Sequence, residues 1–266
     1  MAEILYKYMT AERVLTCLPE VGDGTLRATQ PSALNDPFEC AVRPVFVMDE
    51  NDANLEFAKV LSGINGTTPI TGQQVARARR EYGSLYLRNL FAAQVSQRFG
   101  IVSFSTNPRH PLMWSHYTSD GSGFVVGYKV ECLRRLTSRE EALREVQYRG
   151  DVALLLGYIV LSSPESNLDI LLSMKSDHWS HECEWRLIME LRETVGTGQI
   201  DSRGLPVNLV RVPNEAVVSV YHTERTPLDT VEKIRSRLEN PNNRYGTSRL
   251  TKLIASSERY EYEDAP

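Results

Sequence analysis

The segment 183–192 is the feature that most constrains how this chain can fold. All of its odd positions are apolar, whereas its even positions, beginning with Glu184 and Arg186, are mostly charged. An alternation with a period of two predicts a β-strand with one buried face. The alternative is a helix in which Glu182 and Arg186 form an i,i+4 pair. The unbroken run of apolar odd positions favours the strand.

A strand through this segment places Glu182, Glu184 and Arg186 in a row on one face. Two carboxylates spaced in this way lie about 6 to 7 Å apart. A carboxylate fixed beside a pocket can orient a nucleophile, act as a base or stabilise a cation. One unit charge at about 4 Å contributes about 4 kcal/mol at an effective dielectric constant of about 20. The alternative is a solvated strand face held by salt bridges, and the pattern alone favours that alternative.

The composition indicates a protein with a substantial core and no general affinity for polyanions. Of the 266 residues 41% are hydrophobic, and the formal net charge of -4 disfavours nucleic acid and anionic membranes as partners. The early charges predict that no signal peptide is present, and the longest apolar run, 152–161, is about half as long as a membrane span. Since no CxxC spacing occurs, we expect reduced, mostly buried thiols in a cytoplasmic protein, at Cys17, Cys40, Cys132 and Cys183.

Interleaved strand and helix patterns predict a single α+β domain over residues 1–266. Its expected architecture is a mixed, mostly antiparallel sheet core with flanking helices and a helical insertion at about 50–98. Strands are predicted at 4–8, 24–28, 101–106, 123–130, 182–192, 206–212, 216–222 and 259–263. Helices are predicted at 11–18 with Thr10 as N-cap, on both sides of 63–72, and at 131–145, 151–175 with a break near Pro164, and 228–238.

Two groups of polar and aromatic residues are candidates for a ligand site. Ser103 and Ser105 share one face of the predicted 101–106 strand, where their hydroxyls can bond a ribose or brace a carboxylate. Ordinary polar positions on a strand edge are the alternative. Trp114, His116 and Tyr117 are amphipathic side chains that suit a pocket lining, and packing in the core is the alternative.

A loop and a pair of histidines complete the candidates. Pro37 disfavours a helical conformation for the residue before it, so 35–39 is predicted to be a loop of defined shape. His178 and His181 match no zinc template, because a strand would send alternate residues to opposite faces. The glycines at 121–123 lack the lysine of a phosphate-binding loop. No serine lies in a nucleophile elbow.

Seven short segments together resemble a widespread uncharacterised prokaryotic family, domain of unknown function 2971. They follow one another in the family's order over most of the chain, at 5–8, 24–27, 35–39, 103–105, 113–117, 123–128 and 182–186. The family name carries no established reaction. The resemblance therefore implies relatives rather than a function.

The order of the strands also resembles that of ADP-ribosyltransferases. In those enzymes a strand with a basic or aromatic residue is followed by a serine-containing strand and then by a strand that opens with Glu-x-Glu. The resemblance implies a set of residues that bind NAD, namely Tyr6, Lys7, Tyr8, Ser103, Ser105, Trp114, His116 and Tyr117. Lys7 stands where an arginine or histidine is usual.

The same resemblance implies roles for individual residues. Tyr117 would stack on the nicotinamide, Glu184 would support the ribosyl cation as nicotinamide leaves, and Glu182 would guide the acceptor. Such a cleavage through an oxocarbenium-like state requires a fixed carboxylate and a pocket that excludes water. Further site candidates are Asn35, Asp36, Glu39 and Arg186.

Three functions are compatible with these residues. The first is an ADP-ribosyltransferase or NAD-cleaving protein, acting in phage defence or a toxin system, with NAD as substrate, a protein or nucleic-acid acceptor and no metal. The second is a non-catalytic module that senses a nucleotide or a protein. The third is a metal-dependent hydrolase or nuclease that uses Asp36, Glu39, Glu182 and Glu184. We expect a nucleotide partner and no membrane, and the oligomeric state is not predicted.

Overall fold

An eight-stranded sheet forms the centre of the structure, a computed structural model that describes residues 2–39, 42–45, 50–65, 69–139, 141–151, 153–156, 164–245 and 248–266. The described strands are β1 Ile4–Met9, β2 Gly24–Ala28, β3 Val42–Val45, β4 Phe99–Ser105, β5 Phe124–Lys129, β6 Leu143–Glu145, β7 Gln147–Arg149, β8 Ala153–Leu156, β9 Met174–Ser176, β10 Glu184–Glu190, β11 Val195–Ile200, β12 Pro206–Val212, β13 Val217–Thr223, β14 Arg249–Ala255 and β15 Tyr262–Asp264.

Helices flank this sheet. The α-helices are α1 Ala11–Cys17, α2 Glu50–Asn65, α3 Gly72–Arg98, α4 Pro111–Tyr117, α5 Val130–Arg134, α6 Pro164–Leu172 and α7 Leu228–Glu239. Short 3₁₀ helices occur at Pro31–Ala33, Asp177–Glu182, Leu191–Glu193, Asn214–Ala216 and Pro241–Asn243. None of these described helices combines the length and the apolar character that a membrane crossing requires.

The sheet is mixed and mostly antiparallel. Its strand order is β15-β14-β13-β5-β1-β4-β10-β6, and β13 with β14 is the parallel pair in it. Smaller sheets are formed by β11-β12-β2, by the parallel pair β3-β8 and by the parallel pair β7-β9. The predicted α+β class with a mixed, mostly antiparallel sheet is confirmed.

Two apolar clusters bury both faces of the central strands. Leu187 and Met189 of β10 belong to a cluster with α1, β2 and α7, whereas Ile188 packs with Phe91 of α3 and Leu172 of α6. Because β10 lies inside the sheet and is covered on both sides, a charged side chain on it is removed from water. The prediction of a strand with one solvated face was therefore wrong.

Local capping explains where two predicted helices begin. The Thr10 hydroxyl accepts a hydrogen bond from the Arg13 N–H at 3.3 Å and caps α1 as predicted. Thr71 and Gln74 form a reciprocal capping box at the start of α3. The segment predicted to be a helical insertion contains α2 and α3, and the break between them includes residues 66–68, which lie outside the described residues.

Other predicted elements were wrong in type or extent. The helix predicted at 131–145 ends at Arg134 and is followed by β6, and the helix predicted at 151–175 is replaced by β8, α6 and β9. β8 and β9 each pair in parallel with a distant strand. A short apolar run does not distinguish a buried strand from a buried helix, so this pairing was not visible locally.

The strand predicted at 182–192 begins only at Glu184. A 3₁₀ helix precedes it, and Cys183 between them has a left-handed backbone with φ of 45°, which is unusual for a residue other than glycine. Cys183 is exposed, while Cys17 and Cys132 are buried and free; Cys40 lies outside the described residues.

Candidate functional site: a buried charged cavity between two half-sheets

The central sheet opens between β1 and β4. The two strands share a single register pair, Tyr6 with Ser105, whereas β1 with β5 and β4 with β10 form continuous ladders. Side chains span the opening instead: the Lys7 ammonium donates to the Ser103 carbonyl at 2.8 Å, and the Tyr8 hydroxyl donates to the Asn107 carbonyl at 2.6 Å. The opening creates a site within the sheet itself.

Three strands place one residue each in a row across this opening. Ser105 on β4 is in register with Tyr6 on β1 on one side and with Glu184 on β10 on the other. Residues directly opposite each other in a ladder project to the same face. Tyr6, Ser105 and Glu184 are thus neighbouring positions on one face of the sheet, where the Tyr6 side chain bonds Tyr221 and the Ser105 hydroxyl bonds the Asn107 backbone.

A cavity of about 130 Å³ lies at this row. Its walls combine aromatic side chains with hydroxyl, amide and charged groups. Among the residues that line it are Tyr6, Lys7, Tyr8, Asn35, Glu39, Ser103, Ser105, Met113, Tyr117, Lys175, Glu182 and Glu184.

Glu184 is held by two cations, Arg186 and Lys175. The Arg186 guanidinium donates to both of its carboxylate oxygens, at 3.0 and 3.1 Å, and the Lys175 ammonium donates to Oε2 at 3.1 Å. Arg186 also contacts Glu39 Oε1 at 2.7 Å and donates to the Leu172 carbonyl at 2.6 Å. A planar guanidinium suits this forked geometry.

Glu182 is held by Tyr117 and by the same Lys175. The Tyr117 hydroxyl donates to Oε1 at 2.5 Å, and the Lys175 ammonium donates to Oε2 at 2.6 Å. Asn35 in turn donates to the Tyr117 hydroxyl at 3.0 Å. Lys175 therefore bridges the two glutamates, although Glu182 lies before the strand rather than on it.

The ionisation states follow from burial and these partners. Burial disfavours the charged form of Glu184, but Arg186 and Lys175 outweigh it and hold its pKa at about 2. Burial also opposes the charge of Lys175, yet Glu184 and Glu182 raise its pKa above the ordinary value. Burial raises the pKa of Glu39, with Arg186 acting in the opposite direction.

The cluster contains equal numbers of acidic and basic side chains. Three carboxylates, Glu39, Glu182 and Glu184, lie with three basic side chains, Lys7, Lys175 and Arg186. Burial lowers the pKa of Lys7 and raises that of Glu39. The ionised carboxylate of Glu184 at the cavity is the group suited to stabilising a cationic or electron-poor ligand.

Burial decides between the two interpretations of Glu182, Glu184 and Arg186, which were a solvated strand face and a site beside a pocket. Glu182 and Glu184 are each 3% exposed and Arg186 is 0% exposed. The solvated strand face that the pattern favoured is therefore wrong. These charges instead form a buried network at a cavity.

Comparison with known protein families bears on part of this site. Residues 113–187 match the model of a family described as protein of unknown function (DUF2971). This match confirms the predicted family resemblance. The matched segment contains Tyr117, Lys175, Glu182, Glu184 and Arg186. No curated protein and no solved structure matches the chain.

The structure brings most of the candidate residues to the cavity but separates four of them from its lining. Asp36 lines a larger neighbouring groove, and Arg186 lies fully buried behind Glu184. Trp114 is a core residue that donates to the Pro108 carbonyl at 2.9 Å, and His116 is exposed. Packing in the core was therefore the correct alternative for Trp114.

Two residues of the network were missed by the sequence analysis. Lys175 links Glu182 to Glu184, and the Tyr148 hydroxyl accepts the Glu184 backbone N–H at 2.7 Å. Both lie on the parallel pair β7-β9, which joins segments distant in sequence. Neither residue had a local pattern that could have indicated its role.

The histidines predicted not to form a zinc site lie beside the network. The ring of His181 is 5.6 Å from that of His110 and 6.4 Å from that of His116, whereas His178 is exposed. Within the described part of the chain, no three His, Cys, Asp or Glu side chains are grouped so that they could hold a metal ion.

The Glu184 network predicts a specific loss of stability in acid. The pKa of Glu184 lies below its ordinary value of 4.5, so its contribution to folding is full above about pH 4.5 and is lost as the pH falls towards 2. We expect this contribution to be on the order of 3 kcal/mol. Urea denaturation at pH 7, 4 and 3 should show a shallower loss of unfolding free energy for Glu184→Gln than for the native sequence. If the free energy of unfolding decreased equally with pH in the two proteins, the ionisation state assigned to Glu184 would be contradicted.

Proposed function

We propose that the cavity binds the nicotinamide end of NAD and that the protein cleaves the bond between this ring and the ribose. The row formed by Tyr6, Ser105 and Glu184 carries this proposal, because it places an ionised carboxylate at a cavity beside two hydroxyl-bearing side chains. The order of these strands is the one in which the chain resembles ADP-ribosyltransferases. Phage defence or a toxin system is the setting that this resemblance suggests.

The ionised carboxylate of Glu184 at the cavity supports a cationic substrate. The nicotinamide ring of NAD is positively charged, and as its bond to C1′ of the ribose breaks, the positive charge moves onto the sugar. The ring leaves with the bonding electron pair as neutral nicotinamide. A fixed, buried carboxylate stabilises such a developing cation more strongly than it would in water. Glu184 is the carboxylate that would supply this charge.

Individual residues then take distinct roles. Glu184 faces the developing cation, and the electron-rich faces of Tyr6 and Tyr117 contact the charged ring. Glu182 is positioned by Tyr117 and Lys175. It orients the water or acceptor that forms the new bond to C1′, and its carboxylate takes up the proton that this nucleophile loses.

The size of the cavity limits which part of NAD it can take. At about 130 Å³ it is smaller than the 300 to 1,000 Å³ of a typical ligand pocket. A groove of about 480 Å³ lies next to it, and Lys175 lines both. We assign the nicotinamide end to the cavity and the remainder of the dinucleotide to the groove.

Incubation of the purified protein with NAD and with NADH tests the proposal. We expect nicotinamide release from NAD, measured by chromatography, together with free ADP-ribose or an ADP-ribosylated protein. We expect no release from NADH, because its reduced ring is uncharged and a poor leaving group. Absence of release from NAD above the buffer rate would overturn the proposal.

A non-catalytic binding module is the second candidate. One observation favours it: both oxygens of Glu184 already accept hydrogen bonds from Arg186, and one also accepts from Lys175. A carboxylate with this many partners can shape a site without reacting. In that case NAD or another nucleotide would raise the melting temperature and be recovered unchanged after long incubation.

A further inference from the structure

The groove beside the charged cavity has the dimensions and walls of a ligand site. Its volume of about 480 Å³ lies within the range of small-molecule pockets. Phe38, Met174 and Trp179 contribute apolar surface to it, and Lys175 joins it to the cavity. The groove is therefore a separate compartment that adjoins the proposed reaction site.

Two aromatic side chains make the groove suitable for a planar ring. Phe38 is 58% exposed and lines the groove. Trp179 is partly exposed, and the Lys175 ammonium lies 5.1 Å from its ring centroid. This cation–π contact fixes the indole at the boundary between groove and cavity. A flat aromatic ligand can pack against such surfaces.

Asp36 supplies a hydrogen-bond acceptor that lacks a partner. Its residue is 4% exposed, and Oδ1 accepts the Phe38 backbone N–H at 2.8 Å. Oδ2 is buried and has no hydrogen-bond partner among the described residues. Buried polar atoms are almost always bonded. Since Asp36 lines the groove, a ligand that donates a hydrogen bond there would satisfy this oxygen.

We propose that the groove binds the purine of a nucleotide through its exocyclic amino group, as adenine presents it. The ring packs against Phe38 and Trp179, and the amino group donates to Asp36 Oδ2. This inference rests on the proposed function and deepens it, because it assigns the second base of the dinucleotide. It also predicts base selectivity that does not depend on any reaction.

Calorimetric titration with adenosine monophosphate and inosine monophosphate tests this assignment. The two differ at the position where adenine carries an amino donor and hypoxanthine carries a carbonyl acceptor. We expect the native protein to bind the adenine nucleotide at least about tenfold more tightly. In Asp36→Asn the amide oxygen can still accept the Phe38 N–H while its nitrogen donates into the groove. We expect the preference to reverse in favour of the inosine nucleotide.

Further variants separate a ligand contact from a general loss of structure. Phe38→Ala should weaken binding of both nucleotides, whereas Tyr260→Ala, which removes another exposed aromatic side chain, should change neither. If neither nucleotide binds, or if native protein and Asp36→Asn show equal affinities for both, the assignment is wrong. Nicotinamide release without base selectivity refutes this inference alone. Base selectivity without release refutes the proposed reaction and leaves the purine site intact.

Discussion

Arg186→Met is expected to lower the free energy of unfolding by about 3 to 5 kcal/mol. The native guanidinium is fully buried and bonds both Glu184 and Glu39. Methionine fills much of the volume but leaves two buried carboxylates without their shared cation. Removing one partner of a buried ion pair destabilises a protein because the other charge stays buried without compensation. Urea denaturation at neutral pH, with the midpoint compared at constant slope, measures the loss.

Arg192→Met is the matched control for that experiment. Arg192 bonds Glu190 at 2.5 Å, but its side chain is 82% exposed, so its removal should cost about 0 to 1 kcal/mol. Equal losses in the two variants would contradict a buried network around Arg186. If Arg186→Met does not fold, the additional changes Glu39→Gln and Glu184→Gln should restore folding, since they remove the uncompensated charges.

The sequence predicted the sheet residues of the site well because their positions depend on local alternation. Ser103, Ser105 and Glu184 lie on strands whose period of two is visible in the chain. The side chain of Glu182 also reaches the cavity, but by a different route. A 3₁₀ helix and the left-handed Cys183 place it there, and no pattern predicts a left-handed cysteine.

Burial of the charges could not be predicted from the same alternation. A polar position on a strand is normally solvated, unless partners elsewhere in the chain neutralise it. Here the partners are Glu39 from a loop and Lys175 from β9, a short strand within a segment that was predicted to be helical. The parallel pairing of β7 with β9 joins residues that are distant in sequence. It places Lys175 beside Glu184 and so affects the ionisation of Glu184, although no local sequence pattern indicates the pairing.

The network also shows how one buried carboxylate can stabilise the fold and still line a cavity. Arg186 approaches Glu184 from behind the cavity, since it is fully buried and is absent from the cavity lining, whereas Lys175 lines the cavity. Arg186 therefore contributes to stability without lining the cavity, whereas Glu184 and Lys175 contribute to the network and also line the cavity. Variants of these residues should separate the two effects.

Glu184→Gln is expected to reduce nicotinamide release by about a hundredfold to a thousandfold. Glutamine keeps the size of the side chain but removes the negative charge that faces the developing ribosyl cation in the proposed reaction, and one charge at about 4 Å changes the rate by about three decades. The loss should appear mainly in kcat, since the cation develops in the transition state. Steady-state assays over a range of NAD concentrations measure both parameters.

Glu190→Gln tests whether this effect belongs to the site rather than to the strand. Glu190 lies at the other end of β10, is also buried, and bonds Arg98 at 2.7 Å and Arg192 at 2.5 Å. The same chemical change there should reduce stability while the rate of release per folded molecule stays within about threefold of the native value. Release that survives Glu184→Gln, or that falls equally in both variants, would remove Glu184 from the reaction. A selective loss would place the developing charge at the row of Tyr6, Ser105 and Glu184, because only that end of β10 borders the cavity.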